Sequence, residues 1–413
     1  MSDWDFETGA IHNHMKPDPE TGATKTPIYQ TAAFAHTTAK ELEDIFNGRE
    51  YGYYYSRVNN PTIATLEQRI AALDKGLGSV VVSSGMSAIA TVFLTLAHAG
   101  SNIVCSTSLF GSTYYLLRGL IENCGIEVRF VNPLAYDDIE SLIDEKTSLL
   151  FTEVIGNPKC DVSDLSALSN IASKHDIPLV VDNTFVTPYL LKAKEFGVNV
   201  VVNASTKYLC GRGSTIGGSI TDLGNFDWSK AKGKAMTEAN TFGKLAFLSA
   251  CKKTRSNLGN CQAPLNAYLI ADGLETLAMR LDKHSDNACK LANFLEHHPA
   301  VKQVTYIGLK SHPQHELAMS QFSGKGSGML TLRVGSKENA YTVIDSFKLV
   351  SNLVNLGDSK TLAVYPATTI YRHLSEEERE KAGVYNDLIR VSVGLETATD
   401  IIADFDQALR SIV

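Results

Sequence analysis

Apolar and polar positions alternate in two rhythms over the first half of this chain. Short β-branched runs recur at 79–82, 103–105, 126–131, 149–152, 178–182 and 198–202. Stretches with helical spacing separate most of them, for example 87–97, 114–123 and 165–174. Strand and helix in turn predict an α/β domain, a parallel sheet with helices on both faces. Asn60-Pro61-Thr62 opens a further amphipathic helix over 62–75, which Gly76 closes. Ligands of such sheets sit beyond the carboxyl ends of the strands.

Outside that region the pattern changes. Residues 1–58 are polar and rich in Gly, Pro and Tyr, with little periodicity. Such a segment can barely make a core of its own, so it is expected to lie as an arm across a neighbouring subunit. From about residue 255 a long helical segment, 264–296, leads into strand-like pieces such as Gly328-Met329-Leu330-Thr331-Leu332-Arg333-Val334, and a helix from about Thr399 ends the chain. The expected division is an arm 1–58, an α/β domain 59–255 and a smaller α+β domain 256–413. Ser375-Glu376-Glu377-Glu378 reads as a capping box on a short surface helix. His297-His298 reads as a solvated pair at a helix end.

Composition narrows the function. The chain has 413 residues, long enough for two or three domains, with 44% hydrophobic and 20% charged residues. A net charge of -7 argues against a nucleic-acid or membrane surface. Seven cysteines without a C-x-x-C pair and eleven histidines without ligand spacing predict neither a disulfide framework nor a metal site. That cysteine usage suits a reducing cytoplasm. The start, Met1-Ser2-Asp3-Trp4-Asp5-Phe6-Glu7, is acidic and unlike a signal peptide, and no apolar run is long enough to span a bilayer.

The candidate chemistry lies at strand ends. Val200-Val201-Val202-Asn203-Ala204-Ser205-Thr206-Lys207 brings an amine to the mouth of the sheet, amid small residues that leave room for a flat ligand. Ile177-Pro178-Leu179-Val180-Val181-Asp182 brings a carboxylate to another strand end. Pyridoxal phosphate needs such a pair: an amine to bond it, and a carboxylate to hold its pyridinium nitrogen so that the ring can accept electrons. Alone, Lys207 reads as a solvated loop lysine, and the rest of the chain has to overturn that reading. Ser83-Ser84-Gly85-Met86-Ser87 is either an ordinary strand-to-helix turn or a phosphate cradle at a helix N-terminus. Tyr55 and Arg57, two apart in an extended stretch, face the same way and either grip a phosphate or pack against a subunit. Arg390, inside the apolar strand Leu388-Ile389-Arg390-Val391-Ser392, needs an anion, either a substrate carboxylate or a structural acid. Asn157 stands at a further strand end. Neither G-x-G-x-x-G nor a P-loop occurs, which sets aside a nicotinamide-dependent reductase.

Taken in order, these pieces resemble the pyridoxal-phosphate trans-sulfuration family, the Cys/Met metabolism enzymes, over nearly the whole chain. The likeness rests on Pro27-Ile28-Tyr29-Gln30-Thr31, Tyr55-Ser56-Arg57 with Asn60-Pro61-Thr62, Ser84-Gly85-Met86, Gly156-Asn157-Pro158, Val181-Asp182-Asn183-Thr184-Phe185, Ser205-Thr206-Lys207-Tyr208 and Arg390-Val391-Ser392-Val393-Gly394. It implies the fold-type I architecture, a cytoplasmic enzyme of sulfur amino-acid biosynthesis, and a catalytic homodimer within a homotetramer. It also implies roles. Lys207 would hold the cofactor and shuttle the Cα proton, Asp182 would meet the pyridine nitrogen, and Asn157 the ring hydroxyl and the substrate. Gly85, Met86, Ser205 and Thr206 would bind the phosphate, with Tyr55 and Arg57 reaching it from the neighbouring subunit. Arg390 and Thr369 would bind the substrate.

Within the family, Gly273-Leu274-Glu275-Thr276-Leu277, Gly357-Asp358-Ser359-Lys360-Thr361-Leu362 and Leu374-Ser375-Glu376-Glu377-Glu378 resemble O-acetylhomoserine sulfhydrylases. Methionine γ-lyases resemble one another in a cysteine near the ring, where this chain has Ser112. The departures are Phe110 for the family's ring-stacking tyrosine, Ala204 for a serine, and Arg212, Tyr365 and Tyr371 for histidines. Phe110 keeps the stacking and loses a proton donor. A good leaving group such as acetate suffers least from that loss, so γ-replacement on an activated homoserine ester is expected ahead of γ-elimination from methionine, homocysteine or cystathionine. A non-catalytic relative would be expected to lack Lys207 or Asp182, and both are present.

Overall fold

The computed structural model describes residues 4–233, 236 and 240–413; the first three residues of the acidic start, Met1-Ser2-Asp3, lie outside it. Its larger sheet has seven strands: β1 (Gly78–Val82), β2 (Asn102–Ser106), β3 (Glu127–Val131), β4 (Thr147–Glu153), β5 (Leu179–Asp182), β6 (Val200–Asn203) and β7 (Gly218–Asp222). They lie in the order β1-β7-β6-β5-β4-β2-β3, and β7 runs antiparallel to both of its neighbours. The sheet is therefore mostly parallel, not wholly so. Val80, Val104, Leu149, Val180 and Val201 are fully buried, because helices cover both faces. Each such side chain contributes roughly 1.5–3 kcal/mol by leaving water, which fixes the strand register firmly enough to aim the residues just beyond each strand end.

The first predicted helix forms as Pro61–Leu73, with proline in its first turn and Asn60 Oδ1 accepting the Thr62 N–H at 3.0 Å. It ends two residues short of the expected Lys75, which turns left-handed at φ 51°. The predicted helix 114–123 forms within a continuous helical stretch that starts at Gly111, α-helical over Gly111–Leu116 and π-helical over Leu117–Ile121. The segment expected as one helix over 264–296 is two, Pro264–Leu274 and Leu277–Glu296.

The smaller sheet has five strands, β8 (Gln303–Thr305), β9 (Met329–Arg333), β10 (Ser351–Asn352), β11 (Leu362–Val364) and β12 (Leu388–Ser392), in the order β10-β11-β12-β9-β8. The Leu277–Glu296 helix spans both cores: Leu277 and Leu281 pack beneath the larger sheet, Leu291 and Leu295 beneath the smaller. The capping box forms, Ser375 and Glu378 bonding each other's backbone N–H. His298 corrects an expectation. It is buried, its Nε2 3.5 Å from Asp406, because the turn after the helix folds back on the helix Ala398–Leu409; His297 is exposed.

Among the described residues no helix is long and apolar enough to cross a membrane, and no group of three His, Cys, Asp or Glu could hold a metal ion. All seven cysteines are free.

Candidate active site

A cavity of about 250 Å³ opens at the carboxyl ends of β1, β4, β5 and β6, closed from the other side by residues 354–356 and 390 of the smaller sheet's domain. Ser84, Gly85, Met86, Phe110, Glu153, Asn157, Asp182, Ala204, Thr206, Lys207 and Arg390 line it. Residues scattered over the sequence meet here because parallel strands all deliver their last residues to one edge.

Lys207 follows β6 and the turn after it. Its amine donates to Asn355 Oδ1 at 2.6 Å. Burial, and then the nearby Arg390 guanidinium, push its pKa down to about 8. Asp182 ends β5, its side chain half-buried and bonded to the Thr184 N–H at 2.9 Å and the Thr184 hydroxyl. Burial raises this carboxyl above its usual range, and the Thr184 bonds offset part of that. Arg390 projects from β12, 3% exposed, and donates to Asn157 Oδ1 and the Asn355 carbonyl, both at 3.2 Å. Burial lowers its pKa too.

Among the described residues neither Asp182 nor Arg390 has an ion-pair partner in the protein. A half-buried anion and a buried cation, each hydrogen-bonded to neutral groups alone, are costly unless a ligand completes them. A ligand with a cationic ring nitrogen and an anionic carboxylate would complete both.

The far end of the cavity suits a phosphate. Ser84 Oγ caps the helix Gly85–Leu96 by accepting the Ser87 N–H at 3.1 Å, leaving early N–H groups of that helix free for an anion. Gly85 is required here, because a Cβ on it would come within 2.6 Å of the Ala204 Cβ. Thr206 completes the rim, its Oγ1 accepting from the Gly217 N–H at 3.0 Å. The residues present therefore fit pyridoxal phosphate.

The structure sorts the other candidates. Ser205 is turned away: the chain leaves the strand for a turn in which Ala204, Thr206 and Lys207 line the cavity, while Ser205 is buried toward Gly217 with no partner for its hydroxyl among the described residues. Thr369 does not line the cavity, and its hydroxyl donates to the Tyr365 carbonyl at 2.7 Å. Tyr55 and Arg57 lie together on a separate open groove of about 430 Å³, with Thr31 and Cys261; the guanidinium sits 5.5 Å from the Tyr55 ring and donates to the Ser256 carbonyl at 2.7 Å. Arg212 is exposed and paired with Asp272 at 2.9 Å.

Among the lining residues that sequence reasoning missed, two carry polar groups to the centre of the site. Asn355 sits in a short segment without periodicity, and nothing marked it. Glu153, one residue beyond the predicted end of its strand, is buried beside Asp182 and accepts the Phe110 N–H at 2.6 Å. Burial, and then the Asp182 charge, raise its pKa well above the ordinary value. An acidic residue closing an apolar strand was the available signal.

Residues 7–410 match the family model for Cys/Met metabolism PLP-dependent enzymes. Homocysteine synthase of Schizosaccharomyces pombe is 40% identical, with 98% of each chain covered. O-acetyl-L-homoserine sulfhydrylase of Leptospira meyeri is 37% identical over 98% of this chain and 97% of its own. A crystal structure of a candidate O-acetylhomoserine (thiol)-lyase from Campylobacter jejuni, which carries a pyridoxyl phosphate on a lysine, superposes with a TM-score of 0.93 at 36% identity, covering 98% of this chain and 100% of that one.

Proposed function

The chain belongs to the Cys/Met metabolism PLP-dependent enzyme family, and from that premise we propose that it is a transferase that carries out γ-replacement on O-acetylhomoserine. Sulfide or a thiol takes the place of acetate, giving homocysteine or methionine. The observation that carries the reading is the buried Arg390 with neutral partners only, facing Lys207 across one small cavity. It is a seat for an amino-acid carboxylate beside an amine able to move protons.

Pyridoxal phosphate, when bound, supplies an electron sink for negative charge that develops on the substrate. Lys207 would bond its aldehyde carbon, Asp182 would pair with its ring nitrogen, Asn157 would meet its ring hydroxyl, and Gly85, Met86 and Thr206 would hold its phosphate. Tyr55 and Arg57 of one subunit would serve the cavity of the next, which makes a homodimer the catalytic minimum and a homotetramer a natural assembly. Arg390 fixes the substrate carboxylate and so orients Cα toward Lys207. Lys207 takes the proton at Cα, passes it on to the bound cofactor, and is then free to take one at Cβ, so that the γ-substituent can leave as acetate; once the thiol has added at Cγ, protons return to Cβ and Cα through the same amine. Asn355 supports this traffic, because its amide oxygen accepts from the free Lys207 amine. Phe110 offers a ring face and no proton. An acetate needs little help in leaving, whereas a thiolate would need an acid. The seven free cysteines suit a cytoplasmic setting.

A second reading, γ-elimination from methionine, homocysteine or cystathionine, uses the same groups; Phe110 weighs against it. The test is homocysteine formation by the holoenzyme from O-acetylhomoserine and sulfide, with Arg390→Ala raising KM for the ester about 100-fold or more, since one partner of a buried charge pair is lost. An unchanged KM in that variant would contradict the seat assigned to the carboxylate.

A further inference from the structure

Tyr371, one of the departures from the family resemblance, is not part of the cavity's lining. It is nevertheless tied to two residues that matter there. Its ring is buried, and its hydroxyl donates to the Asn157 carbonyl at 2.6 Å, with the Leu109 carbonyl at 3.4 Å. Glu153, buried four residues before Asn157, accepts the N–H of Phe110 at 2.6 Å. Gly111, beside Phe110, lets the two segments touch: a Cβ there would come within 2.6 Å of the Ile370 carbonyl and 3.3 Å of the Tyr371 ring. Farther out, the Tyr115 hydroxyl accepts the His373 N–H at 3.2 Å, and the Tyr114 hydroxyl donates to Glu378 at 2.9 Å.

We propose that Tyr371 is a positioning residue: from the smaller sheet's domain its phenolic O–H fixes the Asn157 and Leu109–Phe110 backbones, and so sets the Asn157 amide and the Phe110 ring at the cavity. The hydroxyl suits this task because it remains a donor. Burial, and then the Glu153 charge, keep its pKa well above the ordinary tyrosine value. A histidine there would gain or lose a proton near neutrality. The role of Asn157 and Phe110 toward cofactor and substrate rests on the function proposed above; the tether itself does not.

The test compares Tyr371→Phe with Tyr365→Phe, both as holoenzymes. Tyr365 is buried in the same segment and also gives its hydroxyl to a backbone carbonyl, that of Asn386 at 3.0 Å, away from the cavity. The readouts are the visible circular dichroism of bound pyridoxal phosphate, and kcat and KM separately. Tyr371→Phe is expected to alter the dichroic band and lower kcat about tenfold with KM nearly unchanged, because the loss is one of alignment. Tyr365→Phe is expected to leave band and kcat at wild-type values. Should the phenylalanine variant fail to fold, Tyr371→His, whose ring falls short of the Asn157 carbonyl, is read the same way. An unaltered band and kcat in the Tyr371 variant, or equal changes in both variants, would overturn the proposal. The dichroic band requires the cofactor alone, so it reports on Tyr371 even if the substrate proves to be another amino acid.

Discussion

Lys207 holds its proton less tightly than a surface lysine does. With a pKa near 8 instead of 10.5, about one amine in ten is neutral at pH 7, against roughly one in three thousand for an ordinary lysine. The neutral amine is the nucleophile, so cofactor uptake by the apoprotein should rise about tenfold per pH unit below 8 and level off above it. Stopped-flow absorbance of pyridoxal phosphate binding across that range checks this, and a midpoint near 10 would contradict it. Phe110 supports a second prediction: Phe110→Tyr should gain 2-oxobutanoate formation from thioether substrates, by roughly a hundredfold, the lower end of what a placed acid contributes. No gain would count against the leaving-group argument. Asp182 and Arg390 were legible because each ends or interrupts an apolar strand, where a polar side chain has no structural excuse, and Lys207 and Asn157 because each stands four residues after the end of such a strand. Asn355 was not, since its role comes from a fold-back no local pattern records, and Thr369 was misjudged because its hydroxyl is bonded to its own turn.

At the level of elements, the strands that read as continuous apolar runs appear close to where the pattern placed them, and β7 does not read that way. Gly218-Ser219-Ile220-Thr221-Asp222 carries three polar side chains into the sheet interior. Two of them are tolerable because they are paired: Thr221 bonds Ser79 at 2.8 Å and Asp74 at 2.7 Å, and Asp222 accepts the Trp228 indole N–H at 2.9 Å. Hydrophobic periodicity cannot foresee such pairing. The break between Pro264–Leu274 and Leu277–Glu296 was hidden for a related reason, since both helices share an apolar stripe across it. Gly218 also lies against the phosphate end of the cavity, where a Cβ would sit 2.1 Å from the Ser84 carbonyl. Gly218→Ala should therefore push the β1-to-helix turn outward, costing roughly 1–3 kcal/mol and weakening cofactor retention. Thermal unfolding and dialysis of the holoenzyme measure both; a variant that keeps its Tm and its cofactor would refute the crowding argument.

The whole molecule leaves an unfinished edge. Ile28, Tyr29, Phe46, Tyr51 and Tyr55 of the arm are exposed in the single chain, and so is the groove that holds Arg57. Such a surface is what a second subunit would cover, in keeping with an arm that cannot build its own core. If Arg57 serves the neighbour's cavity, two inactive proteins should complement each other. Lys207→Ala and Arg57→Ala subunits, unfolded, mixed and refolded together, should regain about a quarter of wild-type sites, since each mixed dimer rebuilds one intact cavity. Mixtures as inactive as their parents would place Arg57 outside the active site.

The assignment as a whole turns on which bond at Cγ breaks and what replaces it. Holoenzyme given O-acetylhomoserine with sulfide, O-acetylhomoserine alone, and methionine alone should yield homocysteine in the first mixture and little 2-oxobutanoate in the third. Abundant 2-oxobutanoate from methionine would make the protein a γ-lyase and contradict the reading of Arg390, Lys207 and Phe110 as a γ-replacement site.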